Sequence, residues 1–219
     1  MGKGILMATP LEKARRDPNS MKARILTSAR KIFSKNGFSG TTTRMIAKTV
    51  GIDISTLYYH WGEKADLYNA VLMDTQEELK QELKRIEKII HGKPLPNRLE
   101  IAINESCDYL FQNPEITNLI LLNYFTKPKG KDIAEFHFID IITGIAISMG
   151  LAMDKDKITK QAKARVMAVM LSLFNFIAGK KFLSPIIGAE CRDYLDVVKE
   201  TLNFILIPAF MQDKKINES

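Results

Sequence analysis

The sequence predicts an all-α protein of about nine helices, with an N-terminal three-helix unit containing a helix-turn-helix and a larger helical domain behind it. Two observations carry that reading. Nearly every segment repeats its apolar residues at helical spacing, and no alternating run bounded by turn residues reads as a strand. Apolar residues make up 46% of the 219, enough for a packed core at this length.

Residues 1–18 read as a flexible basic arm carrying Lys13, Arg15 and Arg16 and closed by Pro18, and Met7 and Met21 leave the start of translation open. The first helix begins after Asn19 or Ser20, buries Ile25, Leu26, Ala29, Ile32 and Phe33 on one face, and stops at Asn36-Gly37, a left-handed cap signature. A second, under three turns long, opens at Thr41-Thr42-Thr43, turns Ile46, Ala47 and Val50 inward and ends at Gly51. Asp53 is placed to cap a third short helix through His60. Two short helices joined at a glycine turn make a helix-turn-helix, giving a domain over residues 19–67.

A second domain follows over residues 68–219. The fourth helix, from about Glu63 to Ile90, sets Leu67, Val71, Thr75, Leu79, Leu83, Ile86 and Ile90 on one stripe, roughly 40 Å long at 1.5 Å per residue. Further helices are expected at about 97–112, 115–125, 132–151, 157–179 and 190–210. Asn113-Pro114, the Lys127 to Gly130 loop, the Asp154 to Asp156 turn and Ser184-Pro185 mark their boundaries.

Charge is uneven. Residues 1–67 hold 12 Lys and Arg against 5 Asp and Glu, and the remainder hold 20 of each, so the whole +7 excess lies in the first third. Such a segment suits a polyanion, whose counterions are released on contact. Cys107 and Cys191, far apart and without CxxC spacing, support neither a disulfide framework nor a zinc site and fit a reducing cytoplasm. The run Ile5 to Ala8 is too short for a signal-peptide core. Val166 to Ala178, interrupted by Ser172 and Asn175, is shorter than the ~20 residues that span a bilayer.

Thr41 to Leu67 reads TTTRMIAKTVGIDISTLYYHWGEKADL. Thr42 and Thr43 at a helix N-terminus offer hydroxyls and free N–H groups to a phosphate, and Arg44 adds charge. In the third helix Ile54, Ser55 and Tyr59 are directed outward, toward bases of a major groove, with Leu57 and Trp61 turned to the core. Thr56, Tyr58, His60 and Lys64 are candidate phosphate contacts. The segment resembles the DNA-binding domain of the tetracycline-repressor-like (TetR) family, through Thr41, Thr42, Ile46, Ala47, Gly51, Ile52, Thr56, Leu57, Tyr58, His60, Trp61, Lys64 and Leu67. It departs from that pattern at Asp53, where Ser is common, at Ser55, where Gly or Ala is common, and at Glu63, where Ser or Asn often caps.

The resemblance implies a regulator that binds double-stranded operator DNA as a homodimer and responds to a small-molecule effector, with repression the default. The helices at 157–179 and 190–210 are apolar on more than one face, as in a helix pair buried against a second copy. The resemblance also implies an inducer pocket, for which Cys107, Phe111, Tyr124, Phe125, His137, Phe138, Met149, Met153, Met170 and Phe174 are candidates. Nothing points to an enzyme, a cofactor or a metal: His60, His91 and His137 show no HExxH spacing and there is no GxxxxGK loop. The competing reading is a helical protein that binds DNA or a membrane surface without sequence preference.

Overall fold

The computed structural model describes residues 8–126, 133–190 and 193–217, of which 133–137 and 212–217 by backbone alone. Among the described residues there are eleven α-helices, one 3-10 turn (Lys155–Lys157) and no strand. The helices are α1 (Pro10–Arg16), α2 (Met21–Asn36), α3 (Thr43–Val50), α4 (Ile54–Trp61), α5 (Lys64–Ile90), α6 (Leu95–Gln112), α7 (Pro114–Thr126), α8 (Ile133–Ser148), α9 (Lys160–Ala178), α10 (Lys180–Ile187) and α11 (Asp193–Asn217). They form two compact units. One holds the chain up to Gln76 together with Leu119–Ala134, and the other holds Glu77–Asn118 and the chain from Glu135 on. The division falls inside α5, whose first three turns supply core to the first unit.

Two helices exceed the expectation. Residues 10–16, expected as part of a flexible arm, form α1: the Thr9 hydroxyl accepts from Glu12 N–H while the Glu12 carboxylate accepts from Thr9 N–H, a closed capping box with Pro10 in the first turn. Leu11 and Ala14 are buried in the core of the first unit, and Arg15 Nε donates to Asp74 at 2.8 Å. α10 lies where Ser184-Pro185 suggested a break. Pro185 removes only the bond to the Lys181 carbonyl, and Gly188 closes the helix in the left-handed region.

In the first unit α2 packs on α1, α3 and α4. Ile25, Ala29 and Phe33 of α2, Ile46 of α3, Leu57 of α4 and Leu67 of α5 are all fully enclosed. Tyr68 meets Phe33 edge-on at 4.9 Å between centroids, and Phe38 at 5.1 Å. The turn between α3 and α4 depends on Gly51, at φ 78°, whose N–H donates to the Ala47 carbonyl, as does that of Ile52. A side chain there meets open space, so the requirement for glycine is conformational.

In the second unit α6 packs on α9 and α11, and α9 on α10 and α11. Tyr194, fully buried, donates to the Phe176 carbonyl at 2.7 Å, and Lys199 pairs with Asp108 at 2.6 Å. α9 and α10 meet at an 83° bend. Among the described residues no single helix is long and apolar enough to cross a membrane.

Candidate DNA-binding site

The helix-turn-helix presents α3 and α4 from a rigid base. Thr41 is buried, its hydroxyl donating to the Gly37 carbonyl at 2.8 Å, so it shapes the approach to α3 rather than facing solvent. Thr42 caps α3, accepting from Met45 N–H at 3.2 Å, and its hydroxyl hydrogen is left to donate. Thr43 is half-buried, while Arg44 and Lys48 stand exposed along α3.

α4 divides cleanly. Leu57 and Trp61 are buried, and the Trp61 indole N–H donates to the Lys22 carbonyl at 3.2 Å. Ser55 is exposed, Tyr59 is 84% exposed and Tyr58 41%. Ile54 is half-buried against the core, so only part of its side chain remains at the surface. Thr56 and His60 are also half-buried. Asp53 occupies the cap position but its carboxylate makes no bond to the helix, contrary to the expected cap.

Lys22, in the first turn of α2, was not visible as a site residue in the sequence. Its ammonium donates to His60 Nδ1 at 2.9 Å and lies 6.0 Å from the Tyr59 ring. Because an ammonium can only donate, Nδ1 must accept, and the ring proton sits on Nε2. Desolvation, and then the Lys22 charge, hold the His60 pKa below its usual 6.5, favouring this neutral form. Desolvation and Lys13 lower the pKa of Lys22 as well. No local pattern signals a pair 38 residues apart in sequence.

Lys64 is committed to the fold. Its ammonium donates to the carbonyls of Phe38 (3.0 Å) and Thr41 (2.9 Å) and sits 4.2 Å from the Phe38 ring centroid, pinning the α2–α3 loop to the start of α5.

The ten residues proposed for an inducer pocket do not gather in one place. A cavity of about 440 Å³ lies within the second unit, and Met149, Met170 and Phe174 line it. Cys107 is fully buried in the packing, where desolvation pushes its thiol up to about 12. Phe111 stacks on Tyr194 and beneath Lys180, and Phe138 is half-buried outside the cavity lining. Tyr124 and Phe125 are exposed on α7 in the first unit, and Met153 is 97% exposed. His137 falls outside the described side chains. Much of the wall comes instead from Leu79, Leu83 and Ile86 on α5 and Leu99 and Ala102 on α6, residues that helical periodicity marks only as apolar.

Residues 25–71 match the family described as bacterial regulatory proteins, tetR family. The chain is 38% identical over 71 residues to the HTH-type transcriptional regulator UidR of Escherichia coli K12, an alignment covering 32% of this chain and 35% of UidR. It is 42% identical over 48 residues to IcaR, the negative transcriptional regulator of the biofilm operon icaADBC in Staphylococcus epidermidis, covering 22% of this chain and 26% of IcaR. The chain thus aligns with about a third or less of the length of these relatives. Its fold is similar to that of AibR, whose crystal structure is a complex with isovaleryl coenzyme A and operator DNA: the TM-score is 0.65 at 14% identity, covering 84% of this chain and 96% of AibR. Residues 25–71, which hold the helix-turn-helix, are thus similar to the DNA-binding domain of the tetR family of bacterial regulatory proteins.

Proposed function

We propose that this protein is a transcriptional repressor that holds a pseudo-palindromic operator as a homodimer and lets go when a small, largely apolar ligand enters the second unit. The observation that carries the reading is the outer face of α4: Ser55, Tyr58 and Tyr59 are exposed while Leu57 and Trp61 anchor the same helix in the core. Anchored on one side and lined with donors and a large aromatic on the other, α4 fits a major groove. Thr42, Thr43 and Arg44 at the start of α3, with Thr56, His60 Nε2 and the Lys22 ammonium, would meet the flanking phosphates. Ile54 would sense a thymine methyl through its exposed part.

Dimerisation is assigned to the C-terminal helices. Phe182 and Ile186 of α10 and Phe204 and Ile205 of α11 are exposed large apolar side chains, a cost in water that a second copy removes. Two-fold symmetry then asks for half-sites about one helical turn apart. The cavity in the second unit is the ligand's place, of a size usual for small-molecule sites. Operator binding of this kind would keep the protein in the cytoplasm. IcaR, a negative regulator, supports repression as the direction.

The test is selection of genomic DNA fragments by the purified protein at moderate salt, followed by footprinting of the enriched site. One enriched near-palindrome, occupied by a dimer and lost when its centre is scrambled, supports the reading. Equal binding to all sequences, or equal binding to anionic vesicles, replaces it with nonspecific polyanion binding.

A further inference from the structure

The cavity in the second unit is apolar along most of its wall, with a polar end where α5, α6 and α8 come together. Leu79, Leu83, Ile103, Leu173 and Phe174 supply much of the apolar part. At the polar end Arg98, near the start of α6, donates from one terminal nitrogen to the carbonyl of Ser148, the last residue of α8. The Ser148 hydroxyl in turn donates to the Glu87 carboxylate. A guanidinium on a helix C-terminus has a structural use, since it satisfies a carbonyl that the helix leaves open. That use accounts for one nitrogen. Arg98 Nε is buried without any hydrogen-bond partner, although Arg98 lines a space of about 440 Å³. A buried donor left unsatisfied is unfavourable, and in a native protein it calls for an acceptor.

The charges around the cavity define that acceptor further. Its ionisable lining is balanced: Lys80, Lys84 and Arg98 against Glu82, Glu87 and Asp140. No net field demands an ionic ligand. What the site lacks is an oxygen lone pair at one end of an apolar chamber. Opposite requirements on a ligand, a tail that leaves water and a head that accepts, are met by an aliphatic acyl compound.

We infer that the cavity binds an aliphatic acyl compound, its chain along the α5–α6–α9 wall and its carbonyl oxygen accepting from the Arg98 guanidinium, which turns to bring its unpartnered Nε to the ligand. The inference deepens the proposed regulator, whose ligand it gives a chemical class, and takes its ligand position from that reading. Free acids, esters and amides share the carbonyl and differ in the rest of the head. A carboxylate profits from the guanidinium charge, and an amide can also donate to Glu87.

Gly144 on α8 supplies an independent handle. It lines the cavity, and a side chain added there meets no atom within 4 Å. Gly144→Leu therefore starts a side chain from the cavity lining with room for its Cβ, and is expected to occupy the chamber, while replacing a mid-helix glycine favours the helix.

The experiment is isothermal calorimetry of the full chain with octanoate, octanamide, methyl octanoate and octylamine. The acyl probes are expected to bind and octylamine, which presents an ammonium to Arg98, to bind at least tenfold more weakly. Among the acyl probes, the order of affinity shows whether the native ligand is an acid, an ester or an amide. Arg98→Met is expected to lose tenfold or more in affinity for the acyl probes and to lose the discrimination against octylamine. Gly144→Leu, with an unchanged or raised melting temperature, is expected to lose binding altogether. Acyl binding that survives both substitutions, octylamine binding as well as octanoate, or no binding by any acyl probe overturns the assignment. A probe that binds through Arg98 yet leaves operator affinity unchanged sinks the induction part of the proposed function and leaves the acyl site standing.

Discussion

Lys22 Nζ and His60 Nδ1 lie 2.9 Å apart, tying the first turn of α2 to the last turn of α4. The bond sets the histidine tautomer and brings an ammonium to the edge of the helix that carries Tyr59. A side chain outside the recognisable motif is thereby recruited to the proposed phosphate-binding surface.

Replacing Lys22 by Met should weaken binding to operator and to random DNA by similar factors. In a plot of log affinity against log salt, the slope should fall by about 1 for each ammonium removed from a phosphate contact. A slope unchanged in the variant would show that Lys22 serves His60 alone.

Tyr59→Ala should behave in the opposite way. With 84% of the side chain exposed, its loss should leave the melting temperature within a degree or so, while costing about 1–3 kcal/mol of operator affinity and little affinity for random DNA. Competition binding with the two kinds of DNA reads the difference directly.

Lys64→Met separates anchoring from phosphate contact. Two backbone carbonyls, of Phe38 and Thr41, lose their donor, so a destabilisation of about 1–3 kcal/mol is expected in urea unfolding. If Lys64 only holds the loop, the salt dependence of DNA binding by the folded variant should match that of the parent.

The pH dependence follows from His60. Its folded pKa lies below the usual 6.5, so below that pH the unfolded chain takes up a proton that the folded one resists. Stability from this group is complete above pH 6.5 and declines as the pH falls toward the folded value. Urea midpoints at pH 7.5 and 5.5 should differ more in the parent than in His60→Gln.

Cys107 gives a chemical check on the second unit. Burial pushes its thiol up to about 12 and leaves it inaccessible, so alkylation at pH 8 should require unfolding of this region. Prompt labelling of Cys107 in native buffer, told from that of Cys191 by peptide mapping, would contradict the packing around α6.

The all-helical class and most helix ends were legible in the sequence because their causes are local. Ser20 and Thr42 cap α2 and α3 through bonds to N–H groups three residues on, and Gly51 ends α3 through its own φ. The burial of Leu57 and Trp61 followed from their spacing on α4. What was not legible depends on residues distant in the chain. The engagement of Lys64 with Phe38 and Thr41 spans 23 to 26 residues, and the cavity wall joins α5, α6, α8 and α9, so apolar periodicity could not tell lining from core. α1 was read as an arm because it is only seven residues long and mostly charged, and isolated helices of that length are unstable. It persists through Leu11, Ala14 and the Arg15–Asp74 pair.

That short helix bears on where a ribosome should begin. Translation from Met7 would keep the Thr9–Glu12 box, the two buried apolar residues and the Ser20 cap of α2. Translation from Met21 would discard all of them, putting a charged α-amino group at the positive end of the α2 dipole and opening the apolar surface that Leu11 and Ala14 cover. The two internal methionines are therefore not interchangeable, and a product trimmed to the second would be expected to lose solubility before it lost any residue of the α3–α4 reading face.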